Sequence, residues 1–422
     1  MAESKKHENH TLSRDIDLEV KEIIKKELKR QKSQLILIAS ENFASQEVLR
    51  TMGSVFTNKY AEGYPGFRYY EGCKHIDEIE QLAIDRANKL FGSNYSNVQP
   101  HSGVNANMAI FLGILNCGDR VLSMSLKDGG HLSHGHKQNL SGRYYEIHTY
   151  NVDPETEMLD YESIREIAKT VRPKLIIAGA SSYSRIIEFK KFREIADEVS
   201  AYLMADTAHI AGLIVGGHHP SSVNVADFTA ATTHKTLRGP RGGLIIADKK
   251  YARLINKSVF PGVQGGPLMH IIAAKAVAFR EALQDSFKDY GKRIIENCKA
   301  LCDHMKNEGF RIVSGGTDNH LFLIDLTNKD LTGLDASQTL SSVGIITNKN
   351  VIPFDKLKPI ITSGIRLGTA AVTTQGMGAV EMHKIGELIT SALKNRENNT
   401  KLKEISKKVK KLAGDFPVYT TE

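Results

Sequence analysis

The chain of 422 residues contains no tryptophan and only four cysteines, Cys73, Cys117, Cys298 and Cys302. None forms a Cys-x-x-Cys pair. Cys298 and Cys302 stand one helical turn apart, but no second cysteine pair completes a zinc site. Reduced thiols in a cytoplasmic protein are therefore expected, not a disulfide framework. No apolar run approaches the roughly 18 residues of a membrane span. The opening MAESKKHENH is polar and lacks the apolar centre of a signal peptide. There is no GK[ST] ending and no GxGxxG, which counts against the common nucleotide folds. No internal repeat or low-complexity linker is visible.

The chain is long enough for two or three structural units. With 41% hydrophobic and 25% charged residues, it can bury a core without staples. The formal charge is +8, from 56 basic and 48 acidic residues. Much of the excess lies near the ends, so no nucleic-acid partner is expected. A basic surface does favour small anions such as phosphates and carboxylates.

Apolar periodicity predicts a helix over 18–32, where Val20, Ile23, Ile24 and Leu28 recur at three- and four-residue steps. LILIASENF (35–43) starts apolar and turns polar, and a Gly- and Tyr-rich ordered loop follows over 60–72. Short apolar runs at 120–124, 174–179, 201–206, 227–231 and 243–247 alternate with helical stretches at 161–170 and 190–200. That alternation predicts an α/β layer around a mainly parallel sheet. From about residue 290 a second α/β pattern begins: helix 290–308, RIVSGG, HLFLIDL, helix 335–342, GIITNKN, IRLGT and a helix near 377–395. Six lysines over 400–413 are expected to form a solvated helix face. The expected division is a disordered 1–14, an arm over 15–85, a large domain over 86–288 and a small α/β domain over 289–422.

An open α/β sheet binds ligands at the carboxyl ends of its strands. AYLMAD ends in Asp206, with His209 three residues on, and ADFTAATTHK ends in His234 and Lys235. Both charged groups are predicted to project into one cleft. A buried lysine loses basicity and becomes a nucleophile toward aldehydes. Pyridoxal phosphate needs such a lysine, together with an acid that keeps its ring nitrogen protonated. Asp206 is the natural acid: at an effective dielectric of about 20, a carboxylate about 4 Å from a cation gains roughly 4 kcal/mol.

The phosphate needs a home too. HSGVNANMAIFLGIL (101–115) sets Ser102 and Gly103 before an apolar helix, whose free N–H groups suit an anion. An ordinary serine N-cap is the plainer alternative. GVQGGP (262–267) is a second glycine loop of the same kind. In DGGHLSHG (128–135), His131 and His134 have no carboxylate or cysteine at ligand spacing, so no metal is expected; a flat imidazole against a flat ring suits the glycines better. Arg366, in TSGIRLGT, is costly to bury unpaired and would match an α-carboxylate. A structural ion pair is its alternative.

These residues lie in motifs that resemble the serine hydroxymethyltransferase family: TNKYAEGYPG (57–66), GGHLSHG (129–135), DTAHIAGLI (206–214), TTHKTLRGPRGG (232–243), QGGPLMH (264–270), SGGTDNHLFLIDL (314–326) and TSGIRLGT (362–369). The resemblance runs from about residue 15 to the FPVY that ends at 419. It implies a fold-type-I pyridoxal-phosphate enzyme with a mainly parallel seven-stranded sheet and a smaller C-terminal α/β domain. It also implies a homodimer or dimer of dimers with shared sites. Lys235 would carry the cofactor as a Schiff base, with His234 beside it in the catalytic group. Asp206 would meet the ring nitrogen and His131 would stack on the ring. Ser102, Gly103 and Val104 would face the phosphate, joined by Tyr60, Gly265 and Gly266 from the partner subunit.

Ser181 and His209 would lie at the ring oxygen. Ser40 and Arg366 would hold the substrate carboxylate. Glu62 would be the acid–base group, and Tyr70 would come from the other subunit. Leu126, Gly130, Leu132 and Asn350 match positions that hold the pterin. The implied reaction cleaves Cα–Cβ of serine and passes the one-carbon unit to tetrahydrofolate, with glycine as the other product. The breaking bond must stand perpendicular to the ring, which is why a fixed carboxylate clamp matters.

The sequence departs from the usual pattern at Asn105, Thr207, Lys358-Pro359-Ile360, Ala370 and Gln375. Several of these fall near the folate segment, so a folate-independent β-hydroxy-amino-acid aldolase on the same scaffold is the alternative reading. An RNA-binding protein using the basic tail is a more distant one.

Overall fold

The computed structural model describes residues 17–419. The expectation of disorder over 1–14 lies outside them. The first helix, α1 (Leu18–Ser33), is capped by Asp17, whose Oδ1 accepts Val20 N at 3.0 Å. None of its residues is fully buried; Leu28 is half-buried, but Val20, Ile23 and Ile24 stay exposed among the described residues, Ile23 at 64%.

The apolar runs of the middle of the chain become one seven-stranded sheet. Its strands are β1 (Tyr95–Asn97), β2 (Arg120–Met124), β3 (Glu146–Tyr150), β4 (Leu175–Gly179), β5 (Tyr202–Asp206), β6 (Phe228–Thr232) and β7 (Gly243–Ala247), in the order β1-β7-β6-β5-β4-β2-β3. Strands β2 to β6 pair in parallel, and β7 runs antiparallel to both neighbours. In β4, β6 and β7 every residue is buried, as expected of strands covered on both faces. The sequence reading missed β1 and β3. The first is only three residues long; the second, EIHTY, carries more polar than apolar side chains.

Side chains alternate between two cores. Val121, Leu175, Ile177 and Met204 pack with Phe111 of helix α3 (Gly103–Ile114). Leu122, Ile176, Ala178 and Leu203 pack on the other face with helices α2 (Lys74–Phe91) and α4 (Met269–Ala282). The long helix α5 (Asp285–Asn307) crosses between regions. Its Phe287, Tyr290 and Ile294 join the large core, while Cys298, Leu301 and Met305 join a C-terminal one.

That C-terminal core covers an antiparallel sheet of β8 (Arg311–Ile312), β9 (Leu321–Asp325), β10 (Asn348–Asn350) and β11 (Gly364–Gly368), in the order β8-β9-β11-β10. The run GIITNKN is split between a two-residue strand and β10. LILIASENF supplies Leu35–Ile36, which pairs in parallel with Ile345–Ile346, and Leu37 accepts Gly368 N at 2.8 Å. A stretch near the N-terminus is therefore stitched to the strand that carries Arg366. The tail forms α7 (Asn399–Asp415) after α6 (Ala379–Lys394); Ile405, Val409 and Leu412 are buried and its six lysines face solvent. The cysteines are free: burial pushes the Cys302 thiol up to about 12 and Cys298 higher still, which leaves both inert.

One buried charge cluster fixes the Gly- and Tyr-rich loop. Arg68 donates to Glu80 at 2.6 Å, to Asp77 at 2.8 Å and to the carbonyls of Ala61 and Gly63. Gln99 Nε2 reaches both Glu80 Oε1 (2.7 Å) and the Gly63 carbonyl (2.9 Å). Removing one member of such a cluster leaves an uncompensated buried charge. Glu80→Ala should cost about 3 kcal/mol, read as a lower urea midpoint, whereas an exposed control such as Glu397→Ala should leave the midpoint in place.

Candidate active site

Asp206 is the last residue of β5, and its neighbours fix the carboxylate. Oδ2 accepts Asn107 Nδ2 at 2.9 Å and His134 Nε2 at 2.8 Å, while Oδ1 accepts Ala208 N at 3.0 Å. Burial alone would raise this acid. The hydrogen bond and charge of His134, followed by His131 and Asn107, overcome it, so the carboxyl stays ionised well below the usual range.

Lys235 does not terminate its strand. β6 stops at Thr232, and the lysine lies three residues on, in a loop closed by Thr233 N to Gly242 O (3.1 Å) and Gly239 N to Thr233 O (2.5 Å). Thr236 ties the loop to the segment after Asp206, donating to His209 O and accepting Gly212 N. The Lys235 side chain is buried, and its amine makes no hydrogen bond or ion pair among the described residues. Burial lowers it to about 8; Asp206 opposes that shift, and Arg366 and Arg241 add to it. Histidines fill the surroundings. Burial brings His131 down to about 4 and His234 and His320 to about 3, with His209 also far below its ordinary value. All four are therefore neutral rings at neutral pH. His209 Nδ1 meets His320 Nε2 at 3.2 Å, and His234 Nδ1 is buried without a hydrogen-bond partner among the described residues.

Arg366 sits in β11, opposite Asn348 of β10. It is buried and has no acidic partner among the described residues, so the structural ion pair is not formed. Its guanidinium donates to Ser181 O at 2.6 Å and Asn348 Oδ1 at 3.2 Å, and burial lowers it to about 10. Ser181 is thereby drawn in from the large sheet, its own N–H held by Gly129 O at 2.7 Å. Ser40 follows the stitched segment: a Cβ on Gly368 would lie 2.4 Å from Ala39 Cα. Its hydroxyl makes no hydrogen bond among the described residues.

Ser102 is the N-cap of α3, its Oγ accepting Asn105 N at 3.2 Å and donating to Asn105 Oδ1 at 2.7 Å. The plainer reading of that serine therefore holds at its side chain, and Asn105, one of the atypical residues, completes the cap. The backbone amides of Gly103 and Val104 remain without partners among the described residues, as the first turn of a helix leaves them.

A second group gathers around the Gly- and Tyr-rich loop. Tyr60 donates to Glu62 Oε1 at 3.3 Å and meets Tyr70 edge-on at 5.3 Å. The Glu62 carboxylate beside Tyr70 raises that phenol. A Cβ on Gly266 would come within 3.0 Å of the Tyr60 ring, and one on Gly265 within 3.3 Å of Glu62 Oε1. The glycine loop docks on residues 99–101, where Gln264 bonds Gln99 O and His101 N. Within one chain no hydrogen bond, ion pair or ring contact joins Tyr60, Glu62 or Tyr70 to Lys235, Asp206 or Arg366.

Of the pterin positions, Leu126 and Leu132 are half-exposed and Asn350 donates to Val351 O at 2.7 Å. Gly130 is pressed to the backbone: a Cβ there would lie 2.2 Å from Met124 O.

Three functional neighbours escaped the sequence reading: Asn107, His320 and Asn348. A lone asparagine inside the apolar run of α3 was a signal for the first. Along the chain no carboxylate or cysteine stands at ligand spacing from His131 and His134. The fold brings Asp206 to them, and one potential ligand atom from each of the three lies within 4.8 Å of the others. Yet His134 Nε2 and Asp206 Oδ2 point at each other, and His131 Nδ1 at Ser133 Oγ (2.7 Å), which makes a hydrogen-bonded chain.

A free buried amine, an ionised acid, an arginine lacking a carboxylate and two open helix amides suit pyridoxal phosphate bound to an amino acid. A seven-stranded, mainly parallel sheet holding such a group defines a pyridoxal-phosphate enzyme of fold type I. Comparison narrows the class. A family model described as serine hydroxymethyltransferase matches residues 13–389. A serine hydroxymethyltransferase of Phytoplasma australiense is 58% identical over 404 residues, covering 95% of this chain and 98% of the relative. The chain belongs to the serine hydroxymethyltransferase family.

In the cofactor-stripped protein, acylation of Lys235 by an amine-selective reagent should rise with pH about a midpoint of about 8, not the ordinary 10.5. Asp206→Asn should move the midpoint lower, because the carboxylate is the group that raises this amine. Peptide mass mapping across a pH series measures both.

Proposed function

We propose that this chain interconverts serine and glycine with pyridoxal phosphate, exchanging the one-carbon unit with tetrahydrofolate to form or consume 5,10-methylenetetrahydrofolate. The observation that carries the reading is the unpartnered Lys235 amine beside the ionised Asp206, with Arg366 lacking an acid of its own. When bound, the cofactor supplies an electron sink for the pair released at Cα.

The chain's residues supply the rest. Lys235 would hold the cofactor covalently and give it up to the substrate amine; a depressed amine can release and accept a proton near neutral pH. Asp206, pinned by His134 and Asn107, stays ionised and keeps the ring nitrogen protonated. His131, neutral, would face the ring, and His234 precedes the lysine in the chain. Ser181 and His209 serve the ring oxygen. Ser102, Gly103 and Val104 take the phosphate from one subunit, and Tyr60, Gly265 and Gly266 from the other. Arg366 and Ser40 clamp the substrate carboxylate, which sets the angle of the breaking bond. Glu62 handles the hydroxyl proton with Tyr70 beside it, and Leu126, Gly130, Leu132 and Asn350 hold the pterin.

Because no hydrogen bond, ion pair or ring contact joins Glu62, Tyr60 or Tyr70 to Lys235 among the described residues, a homodimer or pair of dimers with shared sites is the assembly we favour. The uncovered stripe of α1 fits the arm over 15–85 as part of that interface. We retain 86–288 and 289–422 as the cofactor and small domains. Among the described residues no helix is long and apolar enough to cross a membrane, and we assign the protein to the cytoplasm. Family membership favours the folate-dependent transferase over a folate-independent aldolase.

Lys235→Ala should abolish serine turnover and leave pyridoxal phosphate only noncovalently bound, as mass spectrometry of the denatured protein would show. Arg366→Ala should raise KM for serine about 50-fold, the loss of a charge-assisted bidentate pair. Serine cleavage in the native enzyme should depend on tetrahydrofolate; equal rates without it would favour the aldolase.

A further inference from the structure

Lys275 is a buried cation that none of the roles above uses. It projects from α4, is 1% exposed, and its Nζ reaches three carbonyl oxygens: Val98 at 2.6 Å, Gly243 at 2.8 Å and Pro100 at 3.1 Å. Carbonyls only accept, so three such bonds require three N–H groups. Only the ammonium has three; a neutral amine has two. Burial lowers the group to about 7, and Glu80 is the charge that opposes this. The acceptor geometry holds it protonated. It makes no ion pair among the described residues.

The three carbonyls belong to the two chain segments that meet at the phosphate end. Val98 and Pro100 lead from β1 to Ser102, the N-cap of α3. Gly243 opens β7, directly after the loop that carries Lys235, and its N–H returns to Pro100 O at 2.9 Å. The junction has no spare room. A Cβ on Gly243 would lie 2.2 Å from Ser102 O, and one on Gly242 would lie 2.5 Å from Lys275 Cε. The charge is also felt on both sides, since Lys275 lowers the basicity of His101 and of His234.

We propose that Lys275 is a positioning residue for the cofactor phosphate, locking residues 98–102 against 242–243 and placing a permanent positive charge behind the open amides of Gly103 and Val104. The inference rests on the pyridoxal-phosphate reading of the site. An anion at a helix N-terminus gains from any further fixed cation held in the low-dielectric interior behind it.

The test compares pyridoxal phosphate with phosphate-free pyridoxal, each titrated by fluorescence quenching into the cofactor-stripped full-length protein. Two variants are used. Lys275→Met keeps length and removes charge. Gly242→Ala keeps the ammonium but crowds its Cε. Lys275→Met should weaken pyridoxal phosphate about ten-fold while pyridoxal changes less than about two-fold. Gly242→Ala should shift the ratio the same way by a smaller factor, and it decides the matter if Lys275→Met does not fold. Equal losses for both ligands would reduce Lys275 to a general fold contact and overturn the proposal, as would unchanged affinity for pyridoxal phosphate. Failure of the unaltered chain to bind either ligand would instead overturn the functional reading on which the proposal rests.

Discussion

The site depends on an amine and an acid that are both buried yet kept from neutralising each other. Lys235 lacks any hydrogen-bond partner, while Asp206 is fully engaged by Asn107, His134 and the amide of Ala208. Were the lysine to take the carboxylate as its partner, it would be a stable ammonium and a poor nucleophile. Bound by the side chains of Asn107 and His134, Asp206 stays ionised, while burial lowers the proton affinity of the amine. The strand order makes this possible: β5 and β6 are neighbours, so the end of one lies beside the loop that follows the other.

The placement of the remaining buried charge follows a pattern. Arg68 is paired with Glu80 and Asp77, and its cluster fixes the loop that carries Glu62. Lys235, Arg366 and Lys275 are also buried, but none has an acidic partner among the described residues. Burying a positive charge without a carboxylate is expensive. These three residues fit a site built for a phosphate and a substrate carboxylate, where the ligand supplies the missing charge. The neutral histidines between them add polar contacts without adding further positive charge.

Two groups of polar residues share no hydrogen bond, ion pair or ring contact among the described residues. The Lys235 group lies at the carboxyl edge of the large sheet, joined by Arg366 from the small one. The Tyr60–Glu62–Tyr70 group packs on the glycine loop at 264–266. The unburied stripe of α1 and the half-exposed tyrosines leave apolar surface uncovered in a single chain.

Much of this was legible in order along the chain. Buried β-rich runs gave most of the large sheet, and charged residues at the ends of those runs pointed to Asp206 and to the neighbourhood of Lys235. The lysine itself sits in a closed loop, because Thr233 before it bonds to Gly239 and Gly242 after it. Two short or polar strands went unseen, since they carry too few apolar residues to show a period. Local sequence determined which residues bear chemistry, because a nucleophile, an acid and a helix N-cap each have a local signature. Only the tertiary structure decided who stands beside whom. Asn107 and His134 at Asp206, Ser181 at Arg366 and Lys275 at the carbonyls of Val98, Pro100 and Gly243 are all contacts between residues 32 to 185 positions apart. Such partners are set by sheet order and by the pressure to satisfy every buried polar group, and neither leaves a trace in the spacing of the chain.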